Sequence, residues 1–371
     1  MIDDNVLDLS RRTVLGGLAG LFGAGAVAGT TGVGVAQQES QQQPGINYDV
    51  RARQREGGPV NWVLPGPRRL SEEVFGTPDN PLLGNDYLEH AKQMNPGMAS
   101  VLDQFPTLVG LPEGMRQTND AGDAYTVTSE PTAFSDAHRP VDGHIDVTYM
   151  DRSPWAGFRQ GRDQVQLDVQ FTDPDDNSYS VQVAQLDRET KEHAGGVLTG
   201  GLIHGSTGIG SPLFPKVYNY GAFWGVGTLD VNDGSQTMQN RVIHFMTTQM
   251  ARDNNYALAV DEEMPLGDPL HGRPHHTHGF VFPIEMTQDG PQFSPLDLPY
   301  QGQPFIHIMY DLDEVSIQAS GIADQPQDDD EPRGEDGDDD GGGGNGGGGG
   351  GGNGGGGGGG NGGGGGGDGG G

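Results

Sequence analysis

Asp163-Gln164-Val165-Gln166-Leu167-Asp168-Val169-Gln170-Phe171, the turn Thr172-Asp173-Pro174-Asp175-Asp176-Asn177, and Tyr179-Ser180-Val181-Gln182-Val183 together decide the fold class. Val165, Leu167, Val169 and Phe171 alternate with polar residues, so an extended chain has one apolar and one wet face. The Asp/Pro/Asn cluster reverses the chain, and residues Asp163 to Leu186 read as a β-hairpin. Ile145-Asp146-Val147-Thr148-Tyr149 is the strand expected before it.

Downstream, the same period predicts strands over Gly196 to His204, Val217 to Leu229, Arg241 to Met250, Tyr256 to Val260, His276 to Met286 and Phe305 to Tyr310, with a hairpin signal at Asn232-Asp233-Gly234. Strands at this spacing, with few helical windows, predict a mainly β fold, an antiparallel sandwich or a barrel. Pattern alone does not separate those two. Upstream, helices are expected at Ser71 to Phe75 and Asn85 to Met94, the second with Asn85 as candidate N-cap and Asn95-Pro96-Gly97 as its stop. They belong to a helical or irregular covering reaching to about Asp120.

These readings divide the chain into a leader over 1–36, a polar linker over 37–58, a β-rich body over 59–320 and a tail over 321–371. The tail runs from Asp328-Asp329-Asp330-Glu331 and Asp338-Asp339-Asp340 into nearly pure glycine, punctuated by Asn345, Asn353 and Asn361. Without side chains to bury, it is expected to be disordered.

The formal charge is −32 at pH 7 over 371 residues, and the only lysines are Lys92, Lys191 and Lys216. Clustered cations for a polyphosphate are missing, which argues against nucleic acid. Arg51-Ala52-Arg53 and Arg68-Arg69, the densest basic patches after the leader, read as solvated surface. Acidic excess with lysine depletion resembles the proteins of extreme halophiles and implies a haloarchaeal type of source. At molar salt the Debye length is about 3 Å, so the self-repulsion of such a surface is screened.

Ser10-Arg11-Arg12-Thr13-Val14-Leu15, followed by a Gly/Ala-rich apolar run ending near Val35-Ala36-Gln37, resembles a twin-arginine export signal. Val14 stands where phenylalanine is commonest in that family and Gly16 where lysine is frequent. The resemblance implies the twin-arginine translocase as a partner during export, and a secreted or cell-surface, extracytoplasmic location. Glycine and threonine dilute the apolar run, so no stable membrane span is expected after cleavage near Ala36. The chain has no cysteine, hence neither a lipid anchor nor disulfides.

Five of the eleven histidines lie between His271 and His307, densest in His271-Gly272-Arg273-Pro274-His275-His276-Thr277-His278. Residues i and i+2 of a strand share a face. His276 and His278 therefore go with Phe280, Phe282 and Ile284, His307 with Phe305 and Met309, His204 with Leu202 and Leu198, and His244 with Val242 and Met246. Converging neutral imidazoles suit zinc, copper or nickel, so His276, His278, His307, His204 and His244 are the candidate metal ligands, with Glu285 on the opposite face. Equally, each can be a core histidine whose N–H is satisfied.

His276-x-His278 with Glu285 resembles part of the first cupin motif, with too long a spacing to the glutamate and no second motif around His307. A blue-copper centre is excluded because its thiolate is missing. Gly205-Ser206-Thr207-Gly208-Ile209-Gly210-Ser211-Pro212 reads as a tight connection and not a phosphate loop, and Asp261-Glu262-Glu263 with Asp268 as surface. The aromatic set Phe214, Tyr218, Tyr220, Phe223 and Trp224 suits a small-ligand cavity or a packed core alike. Two functions stay open: an exported ligand- or metal-binding β-domain, and a His-ligated extracytoplasmic metalloenzyme, hydrolase or oxidoreductase.

Overall fold

The computed structural model describes residues 46–322 apart from 55–57, 133, 153–162, 188–195, 208–209, 215, 250–251, 253–274, 301–302 and 312–313. The leader with Arg11 and Arg12, the strand expected over Tyr256 to Val260, His271, the carboxylates from Asp261 to Asp268 and the tail from 323 all lie outside the described residues.

In chain order the strands are β1 (Ile46–Arg53), β2 (Val60–Val63), β3 (Gly76–Thr77), β4 (Asn80–Pro81), β5 (Arg116–Thr118), β6 (Tyr125–Thr128), β7 (His138–Val141), β8 (Gly143–Asp151) and β9 (Gln164–Thr172). They continue with β10 (Ser178–Leu186), β11 (Val197–Ile203), β12 (Val217–Val231), β13 (Gln236–Gln249), β14 (His275–Thr287), β15 (Gly290–Phe293), β16 (Ile306–Asp311) and β17 (Glu314–Ile322). The α-helices are α1 (Glu72–Phe75), α2 (Asn85–Met94) and α3 (Ala99–Gln104). None of the described helices is long and apolar enough to cross a membrane.

One 13-stranded sheet runs in the order β17-β1-β8-β9-β10-β12-β13-β14-β16-β2-β7, with β11 on β12 and β15 on β14, and every pairing in it is antiparallel. The sheet curls into a half-barrel, so the mainly β, antiparallel architecture expected above is the one found. Its curl brings strands from opposite sides of the sheet together. Trp62 of β2 packs its indole on Phe171 and Tyr179 of β9 and β10, and Tyr310 of β16 donates to the Gln170 carbonyl at 3.3 Å.

Two cores follow from this shape. Inside the curl lie Trp62, Val147, Tyr149, Phe171, Phe223, Phe245, Ile308 and Tyr310. On the other face, Trp224, Val242, Met246, Phe280 and Phe282 pack against a helical layer that supplies Leu88, Ala91, Val101, Leu102 and Leu108. Strands β8 and β9 face a core on one side only and alternate, as does β10 up to a register shift between Val183 and Gln185. β12, β13 and β14 are covered on both faces, and their apolar pattern is accordingly almost continuous.

Three expectations need correction. Residues 37–58 are not all linker: β1 pairs with β8 and β17, burying Val50 and Ala52 at 1% and 0% exposure. Two small apolar residues between charged ones make a weak sequence signal, and pairing on both sides supplies the rest. Arg68 is not solvated surface; it is buried, donates to the Leu213 carbonyl and lies 5.0 Å over the Phe75 ring. Asn85 is the first residue of α2 and not its cap; the Glu113 carboxylate accepts its N–H at 3.1 Å instead. Pro283 is tolerated within β14 because the pairing with β13 shifts register between Arg241↔Glu285 and Ile243↔Val281, leaving it in a bulge.

Candidate functional site

Cross-strand pairing in β12, β13, β14 and β16 sets four of the candidate histidines into three rows. The first is Trp224–His244–Phe280–His307, the second Ala222–Met246–His278–Met309, and the third includes Thr248–His276–Asp311. His204 joins them from just beyond β11. All five are buried: His278 and His307 at 0% exposure, His276 at 1%, His244 at 4% and His204 at 5%. His244 and Phe280 lie on the face beneath the helical layer, whereas His204 lies beyond β11, where strand parity with Leu202 and Leu198 does not apply.

The first row is a stack. The Trp224 and His244 rings lie 4.2 Å apart at 10°, and Phe280 and His307 are 4.2 Å apart. His278 Nδ1 is 3.0 Å from His307 Nε2, so one of the two donates to the other. His278 Nε2 and His276 Nδ1 are buried without a hydrogen-bond partner among the described residues. His276 Nε2 stands 3.0 Å from Asp311 Oδ1.

His204 is held in the left-handed region at φ 65°, and Gly210 and Ser211 lie against its ring. Its Nδ1 is 3.2 Å from the Ser211 carbonyl oxygen and its Nε2 is 3.1 Å from Met246 Sδ. Gly210 must lack a side chain, since a Cβ there would come within 2.6 Å of His204 Nδ1. Gly210 and Ser211 thus support an imidazole, and a short helical turn over Gly205–Thr207 precedes them. His244 Nδ1 donates to the Phe223 carbonyl at 2.7 Å.

Burial sets the charge state. His204 is pushed down to about 4 by desolvation, opposed by the Ser211 carbonyl. His278 lies well below the usual histidine value, first by desolvation and then by neighbouring His307. Desolvation, with Arg252 and His275, takes His276 down to about 3. The Asp311 oxygen 3.0 Å from Nε2 would form an ion pair only with a charged ring, and burial favours the neutral one. Neutral imidazoles are the form that ligates metals.

The five do not gather into one shell: among the described residues, no three His, Asp or Glu side chains take a metal-holding arrangement. Two groups form instead, His278 with His307, and His204 with His244 and Met246. The second group lines a cavity of about 30 Å³ walled by Phe214, Trp224 and Phe280. That space holds a water or a single ion. Glu285 stands apart at the sheet margin, 4.0 Å from Arg241. Of the aromatic set, Trp224 and Phe214 line the cavity, while Tyr220 and Phe223 pack inside the curl. Sequence reasoning missed Met246, Ser211 and Asp311. Met246 was readable in principle, since it shares the face of His244. Comparison with protein-family models, with curated proteins and with solved structures finds no match, so function is argued from this geometry.

Proposed function

We propose that the protein is exported and works outside the cytoplasm, and that its β-domain holds a metal ion beneath the helical layer without turning it over. The observation that carries this reading is the collection of five buried histidines, two of which, His204 and His244, line one small cavity with Met246. Each of these two has its Nδ1 against a backbone carbonyl, the posture of an imidazole that ligates through its other nitrogen. Holding is favoured over turnover because no candidate histidine exceeds 5% exposure, which leaves a substrate little to approach. The Arg11-Arg12 pair supports export, and a route that carries folded chains is compatible with loading the ion first.

Elemental analysis tests the reading. The full chain is folded in molar salt with zinc, copper and nickel present, and is then desalted against the same salt. About one equivalent of transition metal is expected; less than about a tenth of an equivalent overturns the proposal.

A further inference from the structure

We infer that the ion is a soft monovalent cation, copper(I), and that its ligands are His204 Nε2 and Met246 Sδ, with His244 Nε2 as the third. This rests on the metal-holding reading above and names its ion and donors.

His204 stands between two acceptors, the Ser211 carbonyl oxygen at 3.2 Å and Met246 Sδ at 3.1 Å. A neutral imidazole carries one N–H, and a carbonyl or a thioether can only accept. The carbonyl is the stronger acceptor, so the hydrogen sits on Nδ1 and Nε2 turns a lone pair toward the lone pairs of sulfur. That contact is repulsive as it stands. A cation bound by both atoms, once they part enough to admit it, replaces that contact with two coordinate bonds. Charging the ring would provide a second N–H, but the ring is buried and no carboxylate among the described residues pairs with it.

His244 repeats the pattern. Its Nδ1–H goes to the Phe223 carbonyl at 2.7 Å, which places its lone pair on Nε2. An imidazole that gives its second ring nitrogen to a backbone carbonyl has the posture of a metal ligand, because that bond fixes both tautomer and ring orientation. Both histidines take it, and both line the same cavity as Met246.

The choice of ion follows from softness, charge and space. Thioether sulfur selects copper(I) over zinc or nickel. Desolvation of an ion scales with the square of its charge, so a divalent ion costs about four times as much to bring among neutral donors and aromatic walls. A cavity of about 30 Å³ admits a bare ion and excludes one that keeps its hydration shell.

The test is anaerobic titration of the full chain with copper(I) against the chromogenic chelator bicinchoninate, in molar potassium acetate, because chloride itself binds copper(I). Met246→Leu and His204→Asn are run beside it; leucine fills the thioether's volume and asparagine tolerates the positive φ. We expect about one equivalent of copper(I), a sulfur neighbour in the copper K-edge fine structure, and a loss in affinity on the order of 100-fold in each variant. The wild-type spectrum decides the matter even if a variant fails to fold. Stoichiometric zinc or nickel that copper(I) does not displace overturns the inference and leaves the metal-holding reading intact. Copper(I) bound without a sulfur neighbour, or equally well by Met246→Leu, also overturns it. No uptake of any of these metals sinks both.

Discussion

At the scale of single residues, buried polar side chains decide what the protein can do. His278 is enclosed by His307, His276 and aromatic rings and stays neutral in the folded chain. Unfolded, it takes up a proton as pH falls below 6.5. Its depressed folded value means that its contribution is complete above that pH and is lost as pH falls. A refused proton costs about 1.4 kcal/mol per pH unit across the window. The thermal midpoint of metal-free protein should therefore drop as pH is lowered from about 6.5 toward 4, and His278→Gln should drop less steeply. Equal slopes for the two proteins would remove His278 from the account. That His278 is buried beside Phe280 was legible from their two-residue spacing. That it touches His307 was not, because β14 and β16 meet through pairing that no local pattern records.

At the scale of elements, glycines in the long strands make room for large rings inside the curl. A Cβ at Gly221 would sit 2.4 Å from Tyr149 Cδ2, and one at Gly279 would sit 2.5 Å from Phe245 Cε1. The Tyr149 ring is not free to retreat, because its hydroxyl bonds Thr247 at 3.0 Å, which in turn bonds Thr277 at 2.8 Å. Gly221→Ala and Gly279→Ala should each destabilise by about 1–3 kcal/mol in denaturant titration. Gly97→Ala, where nothing lies within 4 Å, should stay within about 0.5 kcal/mol. A neutral Gly221→Ala would show that the sheet can flatten at no cost. Most strands announced themselves through alternation or apolar runs. β1 did not, because only Val50 and Ala52 mark its buried face, and its neighbours β8 and β17 are remote in sequence.

At the scale of the whole molecule, net charge governs solvent. With −32 charges over the chain, compaction in dilute buffer works against repulsion that molar salt screens. Dialysis from molar to millimolar potassium chloride should lower the thermal midpoint steeply or unfold the body, as read by circular dichroism. A sharp transition at one temperature in both would remove salt from the account. Local ion pairs do not substitute for bulk salt here. Arg51 with Asp146 at 2.5 Å and Lys92 with Asp103 at 2.6 Å are surface pairs, worth at most about 1 kcal/mol each.

The sequence by itself determined the class of fold, the net charge and which residues of a strand share a face with His244, His276, His278 and His307, because alternation and composition are local or additive properties of a chain. Tertiary structure decided the rest. It curled one sheet into a half-barrel, covered its outer face with helices, and divided five equivalent-looking histidines into a pair and a separate His/Met group. The physical reason is register: Met246 sits opposite His278 and next to His204 only because β11, β12, β13 and β14 pair as they do, and pairing between distant strands is settled by packing rather than by any one strand's pattern.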